Sequence, residues 1–236
     1  MRPLLGILGG MGPLATADFL TKLVQETPAN HDQEHIPYLA YCVPQIPDRP
    51  AAILHNGESP LPYMLKGITT LRQGGATAIA IAIACNTAHH WFDDLERLGG
   101  LPIIHIADAA CAELARLNIT TGAVGLLSTD GTVAAGFFQQ RLSARGLKCV
   151  ISTPEAQTIL VKPAIDAVKA GQLAHAHTLA IGAVQQLASA GAQAIILACT
   201  ETPLAIEFAD HSLRAHCIDA TRALARACVA WHQKYS

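Results

Sequence analysis

Two stretches of this chain repeat the same short order of elements. That repeat limits the available folds more than any other feature. Laying residue 6 on residue 125 brings "GILGGMGPLATADF" over "GLLSTDGTVAAGFF". Gly6 meets Gly125, Gly12 meets Gly131, Ala15 meets Ala134 and Phe19 meets Phe138. Each copy reads as strand, tight glycine turn, helix. A second match follows in the same order, "GATAIAIAIACNT" (75–87) over "GAQAIILACTE" (191–201). Both run Gly-Ala-x-Ala-Ile, then an apolar strand, then Ala-Cys. Two matches in one order point to a duplicated unit and two similar lobes. We expect an N-terminal lobe of residues 1–104 plus 211–236, with a returning last helix, and a C-terminal lobe of 105–210.

Short apolar runs alternate with longer helical patterns along the whole chain. Strands are expected at 3–8, 38–43, 78–84, 102–106, 122–127, 147–151 and 193–198. Helices are expected at 13–27, 60–73, 87–97, 108–117, 133–145, 155–170, 172–190 and 219–234. This alternation predicts an α/β fold, each lobe a parallel sheet flanked by helices. Ligands of such sheets sit outside the carboxyl ends of the strands. Cys85 and Cys199 both fall at such ends, so a cleft between the lobes would receive one thiol from each.

Composition narrows the partners. Hydrophobic residues make up 51% of the 236 and charged residues only 14%, which excludes a disordered chain. Net charge is −2 with no basic block, so neither nucleic acid nor an anionic membrane is an expected partner. The seven cysteines, at 42, 85, 111, 149, 199, 217 and 228, are odd in number and lack a CxxC pair. A disulfide framework and a zinc site both fit this spacing badly, and reduced thiols in the cytoplasm fit it well. The N-terminal apolar run ending in Ala15-Thr16-Ala17 imitates a signal peptide. Gly9, Gly10, Gly12 and Pro13 break it, and they suit a turn better. The histidines form no ligand set: His175 and His177 diverge on a predicted helix, as do adjacent His89 and His90. No metal is expected.

The candidate chemistry lies at the turns. "GMGPLA" matches a loose dinucleotide fingerprint, but Asp32 and Glu34 precede the second strand and so lie at its wrong end. The turn suits instead the binding of a carboxylate by backbone amides at a helix start. Cys85-Asn86-Thr87 and Cys199-Thr200-Glu201 share one logic: a thiol ends a strand and polar residues open a helix. Two thiols facing one another suit racemisation. A base removes the α-hydrogen from one face of an amino acid, and an acid returns a proton to the other. Hydroxyl, amide and backbone donors beside each thiol would hold the carboxylate as charge spreads onto it.

Together "GILGGMGPLATADF", "PQIPDR", "ACNTAH", "GT" after "LLST", "VKAG" and "ACTE" resemble the aspartate/glutamate racemase family, its aspartate racemase branch in particular. The matches run in order from residue 6 to residue 201. The resemblance implies two pseudosymmetric lobes, a cleft active site, no pyridoxal phosphate or other cofactor, no metal and a homodimer. It carries the acid/base roles onto Cys85 and Cys199. It carries substrate binding onto Met11, Gly12, Gln45, Arg49, Asn86, Thr87, Thr129, Gly131, Thr132, Lys169, Thr200 and Glu201. Pro50 and Ala84 depart from the family, which often has Thr and Pro there. Glutamate racemases of cell-wall synthesis carry an acidic-Ser turn near the N-terminus and a His after the second Cys-Thr. "GGMGPL" and Glu201 stand in those places, which favours aspartate.

Other readings keep the scaffold and change the outcome. They are a broad-specificity or glutamate-preferring racemase, a maleate isomerase-like or malonate-decarboxylating enzyme, and a non-catalytic amino-acid-binding protein. Two retained thiols argue against one-cysteine chemistry and against binding alone.

Overall fold

A computed structural model describes residues 4–75, 80–207 and 211–235. In chain order it runs β1 (Leu5–Gly9), α1 (Pro13–Glu26), β2 (Tyr38–Cys42), α2 (Arg49–Leu54), α3 (Leu61–Gln73), β3 (Ala80–Ile83), α4 (Phe92–Gly99) and β4 (Ile103–Ile104). Then come α5 (Ile106–Arg116), β5 (Ala123–Leu127), α6 (Asp130–Ala135), α7 (Phe137–Ser143), β6 (Lys148–Ile151), α8 (Pro154–Ala156) and α9 (Lys162–Lys169). The chain ends with α10 (Leu173–Ser189), β7 (Ala194–Leu197), α11 (Thr202–Ile206), α12 (His211–Ala215), β8 (Cys217–Asp219) and α13 (Ala220–Tyr235).

The strands form two four-stranded sheets, ordered β2-β1-β3-β4 and β6-β5-β7-β8, and every pairing among the described residues is parallel. The order is the same in both. The repeat read in the sequence therefore covers β1 with β5 and β3 with β7, the central pair of each sheet. The fold is the expected one: two parallel sheets flanked by helices.

The alternating alanines and isoleucines of β3 follow from the layers. Ala80, Ala82 and Ala84 face a core shared with Leu126, Ile196, Ile106 and Leu224, so the small side chains lie between the two sheets. Ile81 and Ile83 face the other way, onto Met64, Ile68 and Leu95. The second sheet does the same, with Ala194 and Ile196 in the shared core and Ile195 and Leu197 against α9 and α10. A strand with both faces covered reads as a continuous apolar run, with side-chain size marking the layer. α13 packs between α1 and α5. Arg226 on α13 bridges Glu26 of α1 at 2.7 Å and Glu113 of α5 at 2.5 Å.

Four expectations shift. The helix expected at 133–145 is two helices, because Gly136 sits at φ +74° and breaks it. The helix expected at 87–97 opens with a tight 3₁₀ turn, Thr87–Trp91. The segment 49–54, read as loop, is helical because Asp48 caps it, accepting from Ala51 N–H at 2.7 Å. β8 was not anticipated. It pairs with β7 as the edge strand of the second sheet. Three residues long, it is too short to leave a periodic trace. Expected strand starts at 3 and 78–79, and the lobe limit at 210, lie outside the described residues.

Among the described residues, no helix is long and apolar enough to cross a membrane.

Candidate active site

The carboxyl ends of β1, β3, β5 and β7 converge. Met11 follows β1, Cys85, Asn86 and Thr87 follow β3, Thr129 follows β5, and Cys199, Thr200 and Glu201 follow β7. All of them line one small cavity of about 20 Å³, together with Asp48, Arg49, Pro50 and Lys169. The two cysteines occupy equivalent places in the repeat. Cys85 lies on the isoleucine face of its sheet and Cys199 on the Ile195–Leu197 face of the other. Both are buried.

Local sequence explains the turns. Gly10 adopts φ +96°, and its N–H donates to Thr16 Oγ1 at 2.9 Å. Thr16 Oγ1 donates to Gly12 C=O at 2.8 Å, which closes the turn onto α1. Gly12 lies against the Cys199 side, because a Cβ there would come within 3.2 Å of Glu201 Oε1.

The two thiols differ in surroundings. Cys199 Sγ donates to Glu201 Oε2 at 3.0 Å, and Thr200 Oγ1 donates to the same oxygen at 3.2 Å. Burial first, and then the Glu201 carboxylate, push the Cys199 thiol well above its ordinary range. Lys169 pulls it the other way, by a smaller amount. Cys199 therefore rests as a thiol at neutral pH, a proton donor. Cys149 and Cys217, pushed up to about 11 and about 12, owe this to burial alone.

A hydroxyl cluster joins the two lobes at the cavity. Thr87 Oγ1 lies 3.0 Å from Thr129 Oγ1 and 2.8 Å from Thr132 Oγ1, and the last two are 3.1 Å apart. Thr132 is fully buried behind the lining rather than in it. Gly131 also lies behind the lining. A Cβ there would meet Pro50 Cα at 2.9 Å, so its bare backbone lets α2 seat on α6.

Some polar groups in the site lack partners. Both amide atoms of Asn86 are buried without a hydrogen bond, as is Arg49 Nε. Such groups cost about 1–3 kcal/mol each when left unpaired, and they mark where a polar ligand would be received. The rest of the Arg49 guanidinium ties the strap before α2 to the glycine turn. It donates to Ile46, Pro47 and Met11 carbonyls at 3.2, 3.0 and 3.2 Å.

Most of the residues singled out by the sequence meet here. Gln45 does not: it lies exposed in the turn after β2, outside the cavity lining. The turn directs it outward, while Ile46 beside it points into the core. Asp48 and Pro50 line the cavity and were missed. "PQIPDRP" contained both, but an acid beside an arginine reads equally well as a surface pair.

His89 was set aside as a ligand candidate, and its role here is structural. Buried, its Nδ1 lies 2.9 Å from the Cys85 carbonyl oxygen, and its Nε2 accepts from Ile106 N–H at 3.3 Å. Burial holds its pKa down at about 4, so the ring is neutral. It then donates to the Cys85 carbonyl and braces the first cysteine against the start of α5. Among the described residues, no cluster of His, Cys, Asp and Glu is arranged to hold a metal ion.

A family model described as Asp/Glu/Hydantoin racemase matches residues 8–228, nearly the whole chain. The chain belongs to this racemase family. It is an amino-acid racemase, an isomerase. The structure of the aspartate racemase of Picrophilus torridus superposes with a TM-score of 0.82 at 31% identity, covering 98% of this racemase and 94% of that chain. An aspartate racemase homologue from Pyrococcus horikoshii OT3 shares the fold, with a TM-score of 0.74 at 23% identity over 98% of this chain and 99% of that one. The broad specificity amino-acid racemase RacX of Bacillus subtilis (strain 168) is 25% identical over 98% of this racemase and 99% of its own length.

Proposed function

We propose that this racemase interconverts the enantiomers of an amino acid, aspartate first among them, by moving protons between Cys85 and Cys199 across the α-carbon. The observation that carries this reading is the pair of thiols, delivered from equivalent strand ends into one cavity beside the unpartnered amide of Asn86. In one direction the Cys85 thiolate takes the α-proton: the C–H bond breaks and an S–H bond forms. The Cys199 thiol gives its proton to the opposite face of the planar carbanion, and its electron pair stays on sulfur. The enzyme is left with a Cys85 thiol and a Cys199 thiolate, the state that starts the reverse reaction.

Asn86 and Thr87 would donate to the α-carboxylate, which carries the developing charge, and Thr200 would join them by turning its hydroxyl away from Glu201. Glu201 offers an acceptor for the substrate ammonium. Arg49 and Lys169 are two cations suited to a side-chain carboxylate. Similarity to the aspartate racemase of Picrophilus torridus supports the choice of aspartate. The chemistry requires only the two thiols, so no cofactor enters the proposal. Free cysteines throughout the described chain suit a reducing cytoplasm. A homodimer, which the family resemblance implies, belongs to the same reading.

The test is proton NMR in D2O with the reduced protein and each L-amino acid. Loss of the aspartate α-proton signal, with D-aspartate on chiral chromatography, is expected. No exchange with any amino acid, while both thiols titrate as free, would overturn the reading.

Glu201 also sets a pH dependence. Removing its charge favours the Cys199 thiolate, so Glu201→Gln is expected to lower the Cys199 pKa. In a Cys85→Ala background, alkylation of Cys199 by iodoacetamide at pH 8 should then quicken. An unchanged rate would show that burial alone holds the thiol protonated.

A further inference from the structure

The cavity at the cysteines holds about 20 Å³, room for roughly one water and too little for an amino acid. A second chamber of about 220 Å³ adjoins it, and the two share Asp48, Pro50, Thr129 and Lys169 in their walls. The chamber lies between α2 and α9. Pro50, Ala51 and Leu54 line it from α2, and Ile165 lines it from α9. Leu54 is 40% exposed, apolar surface with space beside it. Charge gathers elsewhere in its walls. Lys162 and Asp166 pair with each other at 3.4 Å, Asp130 lines the same wall, and Lys169 and Asp48 stand where the two spaces meet.

Resting on the racemase reading above, we propose that this chamber is a side-chain subsite for α-amino acids larger than aspartate, with an extended, largely apolar side chain. An α-carbon between the thiols places the side chain toward the shared wall. An aspartate carboxylate ends there, at Lys169. A longer chain passes the aliphatic stem of Lys169 and lies along Leu54 and Ile165, removing apolar surface from water on both partners. The substrate class is then set by α2 and α9, outside the machinery that moves the proton.

The experiment compares kcat/KM for aspartate, methionine and norleucine in the wild-type enzyme and in Ala51→Leu and Leu54→Glu. The first variant fills the chamber and the second charges its apolar wall. Wild-type enzyme is expected to racemise methionine and norleucine as well as aspartate. Both variants should lower the norleucine-to-aspartate ratio at least tenfold, within the range for losing or blocking an apolar contact. Circular dichroism and thermal melts check that each variant is folded, and a ratio within one folded protein does not depend on how much of it is active. Turnover of aspartate alone by wild-type enzyme, or ratios unmoved by both variants, would overturn the subsite. Absence of exchange with every amino acid would overturn the racemase reading, and the subsite with it.

Discussion

Alanine at Cys85 or at Cys199 is expected to lower racemisation of aspartate by at least about 10²–10⁴-fold, the usual contribution of a positioned acid or base. Each variant removes the proton carrier from one face of the substrate. The other thiol stays in the cavity, so one half of the reaction survives. In Cys199→Ala, the enantiomer that presents its α-hydrogen to Cys85 should still exchange it for deuterium without inversion. In Cys85→Ala, the other enantiomer should do so, more slowly at neutral pH, because burial and Glu201 keep Cys199 protonated. Exchange and inversion are read together, by NMR in D2O and by chiral chromatography. Full two-way racemisation in either variant would rule out the two-thiol mechanism. A general loss of structure does not imitate this pattern, because it would remove exchange of both enantiomers alike.

The second large effect concerns the fold around the site. Gly10 lies at φ +96°, and a Cβ there would stand 2.4 Å from both N and C of Val43 and 2.6 Å from its carbonyl oxygen. These are backbone atoms of the chain just after β2, and β2 is held to β1 by a parallel ladder that ends at Gly9 and Cys42. They cannot turn aside as a flexible side chain would. Gly10→Ala therefore adds backbone strain to a steric clash and is expected to cost roughly 3 kcal/mol or more. Urea denaturation should show a lower midpoint or no folded baseline. Gly146→Ala is the control: its φ is +73°, yet nothing lies within 4 Å of an added Cβ, so only the backbone term of about 1 kcal/mol applies. Equal losses in the two variants would mean that close approach to Val43 contributes nothing.

Much of the fold was legible because it rests on local patterns. Strands buried on both faces read as apolar runs, glycine turns punctuate them, and the duplicated unit announced two like sheets. The cysteines were legible for the same reason, since each ends a strand at the same place in the repeat. Short elements escaped. α2 and β8 span too few residues to show a period. α2 is held by a cap at Asp48 and by contacts of Arg49 and Pro50 with parts of the chain distant in sequence. Gln45 falls outside the cavity lining because a motif carries no direction. The turn after β2 points Gln45 to solvent and Arg49 toward Met11, though the two stand four positions apart.

By itself, then, the sequence determined the alternation of strand and helix, the two-lobed duplication and the thiol at each matching strand end, because all three depend on neighbours along the chain. Only the tertiary structure decided that both thiols line one cavity, that Glu201 holds a proton on Cys199, that Asn86 is left without a partner and that a larger chamber opens beside Lys169. Those features depend on distances between side chains brought together from separate strands and helices, and packing sets such distances.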